Sequence, residues 1–359
     1  MKVLGIETSC DETACGIVED GTRLLSNVVF SSIDLHKAFG GVVPEIAARS
    51  HIEVIIPVIE QSLEQALCTW DDIDAIAVTY GAGLGGSLLI GVMTARTLAI
   101  AKRKPLYAIN HVEAHIYTNF LTKTGNRKQL TTDSYQLRDS APEFPMLGLI
   151  VSGGHTQLVL WQDHFDYTLL GQTRDDAVGE AFDKVAKIIG LPYPGGPSIS
   201  KTAEAGDPHA YILPKAKLDS PYEFSFSGLK TAVLRLAQKE IGQSHDFPSH
   251  EVAEELSERQ RVNIAASFQH VAVATLVNAT KIAFEQYQPK SIVIGGGVAA
   301  NSELRRQLSS QLPLPIEYQD IRLMTDNGAM VATLGCYHVL KNQPEADPKT
   351  LGIEPNLSM

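Results

Sequence analysis

The chain has 359 residues, 44% of them hydrophobic and 20% charged, the make-up of an ordinary globular protein long enough for two domains with separate cores. Lys and Arg number 30 against 41 Asp and Glu, and the formal net charge of −11 argues against a chain that coats nucleic acid through a broad basic surface. Cys10, Cys15, Cys68 and Cys336 form no C-x-x-C pair, which excludes a disulfide scaffold and fits a reducing, cytoplasmic setting.

In chain order, Lys2 to Glu7 is an apolar run that reads as a strand; it is too short for the core of a signal peptide. Ala14 to Glu19 and Arg23 to Ser31 read as the next two strands, and "SCDET" is the turn between the first pair. Pro44 to Leu67 has helical spacing, with Ile46, Ile52, Ile55, Ile59 and Leu63 expected on the buried face. Ala75 to Thr79 is a short buried strand, and Gly83 opens a further helix. The apolar stretch Leu84 to Ala101 contains Ser87, Thr94, Arg96 and Thr97 and reads as a buried helix, since a membrane span needs about 20 mostly apolar residues. No membrane association is expected. Leu106 to Ile109 is a strand leading into a helix that carries His111 and His115. A polar stretch from Lys123 to Pro142 shows no apolar periodicity and reads as a connection or surface insertion.

The pattern then restarts. Met146 to Val151, Gln157 to Trp161 and Tyr167 to Gln172 read as strands, Phe182 to Gly190 and Val262 to Tyr287 as helices, and Ser291 to Ile294 as a strand followed by Gly295 to Gly297. "LGIETSCDETACGIV" and "LGLIVSGGHTQLVLW" look like two versions of one β-turn-β unit. The expectation is a duplicated α/β fold, each half with a mixed sheet, facing each other across a cleft.

The chemistry-bearing residues lie beside these turns. His111 and His115, four positions apart, share one helix face, and Asp326 in "TDNGA" could complete a two-His, one-carboxylate metal set; the other reading is two helix histidines with ordinary partners. Asp326 also suits the N-cap of the last helix. A zinc-protease helix places Glu directly after the first His; here Val112 stands there and Glu113 is turned about 100° away, so that mechanism is excluded. Glycine turns that follow strands can bring backbone N–H groups close to phosphate, and five such segments point to a phosphate-bearing substrate. Asp11, in the first turn, can hold a water, a metal or a nucleophile, or can close an Asx-turn. Asn301 follows the last glycine run and can reach a ribose hydroxyl. The clusters Lys102-Arg103-Lys104, Arg127-Lys128 and Arg305-Arg306 read as solvated helix ends or loops.

Taken together, "GIETSCDET", "GGVVPEIAAR", "NHVEAH", "VSGGHT", "GEAFDKVAK", "YPGGPSISK", "FSFSGLKT", "GGGVAAN" and "TDNGAM" closely resemble the universal tRNA N6-adenosine threonylcarbamoyltransferase family, in its bacterial form, from the first strand to about Leu340. The resemblance implies an actin, Hsp70 and sugar-kinase-like α/β fold, with two duplicated domains around a nucleotide cleft. The expected division is 1–130 and 131–325, with a C-terminal helix and tail over 326–359 packing back on the first domain. It implies transfer of the threonylcarbamoyl group from threonylcarbamoyl-AMP to N6 of adenosine 37 in tRNAs that read ANN codons. His111, His115 and Asp326 would hold one divalent metal, Fe2+ first and Zn2+ second. Asp11 and Glu12 match the catalytic positions. Ile150, Val151, Ser152, Gly153, Gly154, Asp183, Gly196 and Asn301 match the substrate-binding positions. The implied partners are tRNA, an inactive paralogue of the same fold, a small ATPase and a separate synthase that makes the adenylate. Two features depart from the family pattern: Ser200 stands where many relatives carry an acidic residue, and the stretch from Lys123 to Pro142 is longer than expected. The alternative on the same fold is a metabolite kinase or ATPase, which would need magnesium but not the two histidines.

Overall fold

The computed structural model describes residues 1–123 and 135–359. Arg127-Lys128 and most of the polar stretch from Lys123 to Pro142 lie outside the described residues. The chain separates into two compact units, Met1–Pro142 with Glu317–Met359, and Glu143–Ile316. These bounds stand at 142/143 and 316/317, against the expected 130/131 and 325/326.

In the first unit, β1 (Lys2–Glu7), β2 (Glu12–Glu19), β3 (Arg23–Ser31), β4 (Ala75–Gly81) and β5 (Leu106–Asn110) form one sheet in the order β3-β2-β1-β4-β5. β1 is antiparallel to β2 and parallel to β4, so its V-L-G-I core is buried on both faces. The short α1 (Ile33–His36) precedes α2 (Pro44–Gln65); α3 (Gly85–Lys102) follows β4, and α4 (His111–Tyr117) follows β5 directly. On α2 the buried positions include Ala47, His51, Ile55, Val58, Ile59, Ser62 and Leu63. Ile52, expected among them, is instead 60% exposed, because it lies one position (about 100°) round the helix from His51. α3 buries Leu88, Val92, Ala95 and Ala99 and leaves Leu89, Met93 and Ile100 exposed.

The second unit repeats this plan. β6 (Met146–Val151), β7 (Thr156–Asp163), β8 (Asp166–Gln172) and β9 (Ser291–Gly295) run in the order β8-β7-β6-β9, with β6 antiparallel to β7 and parallel to β9. Strand order and sense match those of β3-β2-β1-β4, and this is the duplicated actin, Hsp70 and sugar-kinase-like arrangement implied by the sequence motifs. Its helices are α5 (Val178–Ile188), α6 (Gly195–Ala203), α7 (Ser227–Glu240), α8 (Val252–Glu255), α9 (Glu258–Tyr287) and α10 (Ser302–Gln311). The periodicity argument missed α6, which opens G-G-P, and α7, although its buried Leu229, Val233 and Ala237 recur every four residues. Among the described residues α9 alone is long and apolar enough to cross a membrane, and 67% of its apolar window is buried within the protein.

α11 (Gly328–Leu340) returns to the first unit and lies on β1 and β2 at a distance only small residues allow. A Cβ on Gly5 would stand 2.3 Å from the Ala332 nitrogen, and one on Gly328 would stand 2.2 Å from the Gly16 nitrogen. The tail beyond α11 crosses the same unit: the Ala346 N–H donates to the Leu106 carbonyl, and Glu354 to that of Tyr80. Arg96 of α3 holds it through the carbonyls of Pro348, Lys349 and Leu351.

Candidate functional site

In the first unit the ends of β1, β4 and β5 converge on the turn Thr8–Asp11. Asn110 ends β5 and caps α4, its side-chain oxygen accepting from the N–H groups of Val112 and Glu113. That cap fixes the start of α4, and both imidazoles are buried along it. Asp326 comes from the turn before α11. The N-cap there is Asn327, whose side chain accepts from the Met330 N–H; this corrects the expectation that Asp326 would serve as the cap. The Asp326 carboxylate is left to face the histidines.

Its Oδ1 lies 3.6 Å from His111 Nε2 and 3.4 Å from His115 Nε2. Those separations are long for hydrogen bonds. Ligands bound tetrahedrally at about 2.1 Å would stand about 3.4 Å apart, so the three atoms are spaced as donors around a cation. All three ligand atoms lie within 4.8 Å of one another, and no other such set of three occurs among the described residues. The donor set, two imidazoles and one carboxylate with open positions, suits a divalent transition metal.

The electrostatics record charges held close together. Burial opposes the charge on His111, yet the carboxylates of Asp326 and Glu7 outweigh it and raise the imidazole to about 9. Burial pushes the Asp326 carboxyl up to about 6, against the pull of His111. Glu12 is pushed up to about 10, by burial first and then by Asp326 and Asp11. Glu113, the third residue of α4, is raised to about 7 by burial, and its Oε1 has no hydrogen-bond partner among the described residues.

The turn itself is braced by residues that sequence reasoning did not select. His51 of α2 lies with Nδ1 2.7 Å from Thr13 Oγ1 and Nε2 3.0 Å from the Cys10 carbonyl. The Asp11 carbonyl accepts from the N–H and the hydroxyl of Ser32, and Ser32 in turn meets His36 at 3.1 Å. Glu7 is wholly buried at the end of β1 and touches Ser9, Thr79 and His111. Its only sequence signal was a carboxylate inside an apolar strand, which can equally mark the edge of a turn.

The matching turn of the second unit, Ser152–His155, joins β6 to β7. It closes through the Ser152 N–H on the His155 carbonyl and the His155 N–H on Ser152 Oγ. Gly153 and Gly154 are exposed, and a Cβ on either would meet nothing within 4 Å. Their lack of side chains therefore serves access to the backbone rather than internal packing. Two further segments meet this turn. Gly179 of α5 packs on Ser152 and Gly153, and Gly296, with φ of 92°, packs on Val151. One turn along α5, Asp183 accepts the Gly195 N–H at 2.7 Å and so caps α6 just ahead of Gly196, where a Cβ would again meet nothing. Asn301 accepts the Leu304 N–H at the start of α10 and donates to Gln269 Oε1 at 2.9 Å. Ser200 and Gln269 line a cavity of about 310 Å³ beside Asn301, together with His270, Glu303 and Arg306. That volume is at the small end of ligand pockets.

Structure therefore gathers Asp11, Glu12, His111, His115 and Asp326 at one end of the first sheet. It gathers Ile150 to Gly154, Asp183, Gly196 and Asn301 at one end of the second.

A family model described as tRNA N6-adenosine threonylcarbamoyltransferase matches residues 23–333. A protein of that name from Thermomicrobium roseum is 47% identical over 346 residues, covering 94% of this chain and 92% of its own. Another from Dehalococcoides mccartyi is 45% identical over 360 residues, covering 100% of this chain and 99% of its own. The solved activator of the 2-hydroxyisocaproyl-CoA dehydratase from Clostridium difficile, with bound ADPNP, aligns with 99% of this chain and 100% of its own at 13% identity and a TM-score of 0.49.

Proposed function

Since the chain belongs to the tRNA N6-adenosine threonylcarbamoyltransferase family and acts as a transferase on tRNA, we propose that His111, His115 and Asp326 hold its divalent metal. The observation that carries this reading is the approach of one Asp326 oxygen to both Nε2 atoms at metal-ligand spacing. The metal is Fe2+ by family resemblance, with Zn2+ the second candidate. It would supply Lewis-acid polarisation of a donor oxygen.

The donor is threonylcarbamoyl-AMP, and the acceptor is N6 of adenosine 37 in tRNAs reading ANN codons. The N6 lone pair is delocalised into the purine, so the chain must position the amine against a donor that already carries a good leaving group. A bond forms from N6 to the carbamoyl carbon, the bond from that carbon to the phosphate oxygen breaks, and AMP departs. Asp11, with Glu12 beside it, is the carboxylate that would orient the amine or accept the N6 proton. Backbone N–H groups of Gly153 and Gly154 hold the negative charge of the departing phosphate, with Ser152 closing the turn on His155 and Ile150 and Val151 shaping it. Asp183, Gly196 and Asn301 seat the nucleoside end. Family membership disfavours the metabolite-kinase alternative.

A chain of net charge −11 gains little from unaided attraction to a polyanion. The partners of this reading, an inactive paralogue of the same fold and a small ATPase, would help to hold the tRNA, and a separate synthase would supply the adenylate in the cytoplasm. The test is mass spectrometry of nucleosides from unmodified tRNA incubated with the chain, these partners, threonine, bicarbonate and ATP. Threonylcarbamoyl-adenosine is expected with the intact chain and a loss of at least about 100-fold with His111→Ala. Undiminished product with that variant would overturn the metal assignment.

A further inference from the structure

We propose that Glu7 is a positioning residue for the metal centre: its carboxylate sets the tautomer of His111, placing the proton on Nδ1 and the lone pair on Nε2. The inference rests on the metal reading above. His111 presents Nε2 to Asp326 and Nδ1 to the interior of the first unit. Ser9 Oγ at 3.1 Å and Glu7 Oε2 at 3.4 Å face that Nδ1.

The two neighbours differ in what they can decide. A hydroxyl both donates and accepts, so Ser9 can satisfy either tautomer. An ionised carboxylate only accepts. Glu7 is already receiving donors on both oxygens: the Ser9 N–H reaches Oε1 at 2.6 Å, and the Thr79 hydroxyl reaches Oε2. It is fully buried, and no Lys or Arg side chain is paired with it in the described residues. Among the described residues, the titratable ring in direct contact with that buried carboxylate is His111. Nδ1–H facing Glu7 satisfies both groups, whereas a lone pair there would set two acceptors against each other in a dry interior.

The same contacts tie the ring to three strands. Glu7 ends β1, Thr79 lies on β4, and His111 follows β5. The carboxylate therefore joins three adjacent strand ends through their side chains and fixes the plane of the ring that offers Nε2 to the metal. Outer partners of this kind change metal affinity by about 10- to 100-fold when removed.

The experiment uses the full chain and Zn2+ as the probe. Affinity is measured by competition with a chelator for the wild type, Glu7→Gln and Thr79→Val, with thermal unfolding of each as a control. Side-chain 15N shifts of the labelled histidines, read in the metal-free chain at about pH 10, where the His111 ring has lost its extra proton, report its tautomer. Expected are Nδ1–H in the wild type, at least about 10-fold weaker Zn2+ binding in Glu7→Gln and a smaller loss in Thr79→Val. Equal affinities in all three, or an Nε2–H tautomer in the wild type, would overturn the role of Glu7 alone. A wild type that binds no Zn2+ or Fe2+ would overturn the metal reading first. Should Glu7→Gln unfold, Thr79→Val and the wild-type tautomer still decide.

Discussion

Two adjacent residues divide the work before α11. Asn327 takes the capping duty, so the Asp326 carboxylate is released toward the imidazoles. Had Asp326 capped the helix, one of its oxygens would have been committed to a backbone N–H. The next residue, Gly328, permits the arrangement, since a Cβ there would stand 2.2 Å from the Gly16 nitrogen and 2.3 Å from the Cys15 carbonyl carbon. Neither atom can yield without moving β2. Gly328→Ala is therefore expected to cost about 3 kcal/mol or more and to shift Asp326 off the histidines. Denaturant unfolding and Zn2+ affinity measured together would check both effects. His111, His115 and Asp326 were legible in the sequence as a candidate ligand set because two histidines four apart share one helix face. Glu7 and His51 were not, since a lone Glu at a strand end or His in a helix declares nothing until its partners are known.

At the level of elements, α11 carries a titration that bears on stability. Burial depresses the His338 imidazole to about 4, so the folded chain keeps it neutral. The unfolded chain binds that proton below about pH 6.5. Between those values the unfolded state holds more protons, and stability falls as the pH drops. The loss levels off below pH 4 at no more than about 3 kcal/mol. Unfolding midpoints of the wild type and His338→Gln at pH 7.5 and 4.5 should show a smaller acid loss in the variant. An equal loss in both would assign the acid sensitivity elsewhere. The strands were readable as elements because their apolar runs are short and bounded by turns. α6 was not, because a G-G-P opening resembles loop composition, whereas α7 does carry a helical signal in Leu229, Val233 and Ala237. Ile52 was misplaced although Ile55, Ile59 and Leu63 were read correctly, because only packing against the sheet selected the polar His51 for the buried face in its stead.

For the whole molecule, the two units differ in how the chain builds them. The second is continuous from Glu143 to Ile316, whereas the first is completed by Glu317–Met359. Residues 143–316 expressed alone should unfold cooperatively with strand content retained. Residues 1–142 alone should not, because β1 and β2 would expose to water the glycine-lined face that α11 covers. Calorimetry and circular dichroism of both segments would check this. The sequence by itself determined the repeated β-turn-β units, the glycine turns and the identity of the trio, since periodicity, turn chemistry and ligand type are local properties. Tertiary structure alone decided where the units divide, that Asp326 faces the histidines rather than capping its helix, and that Glu7 lies against His111. Each of these depends on contacts between residues 72 or more apart in the chain, and no local pattern encodes such contacts.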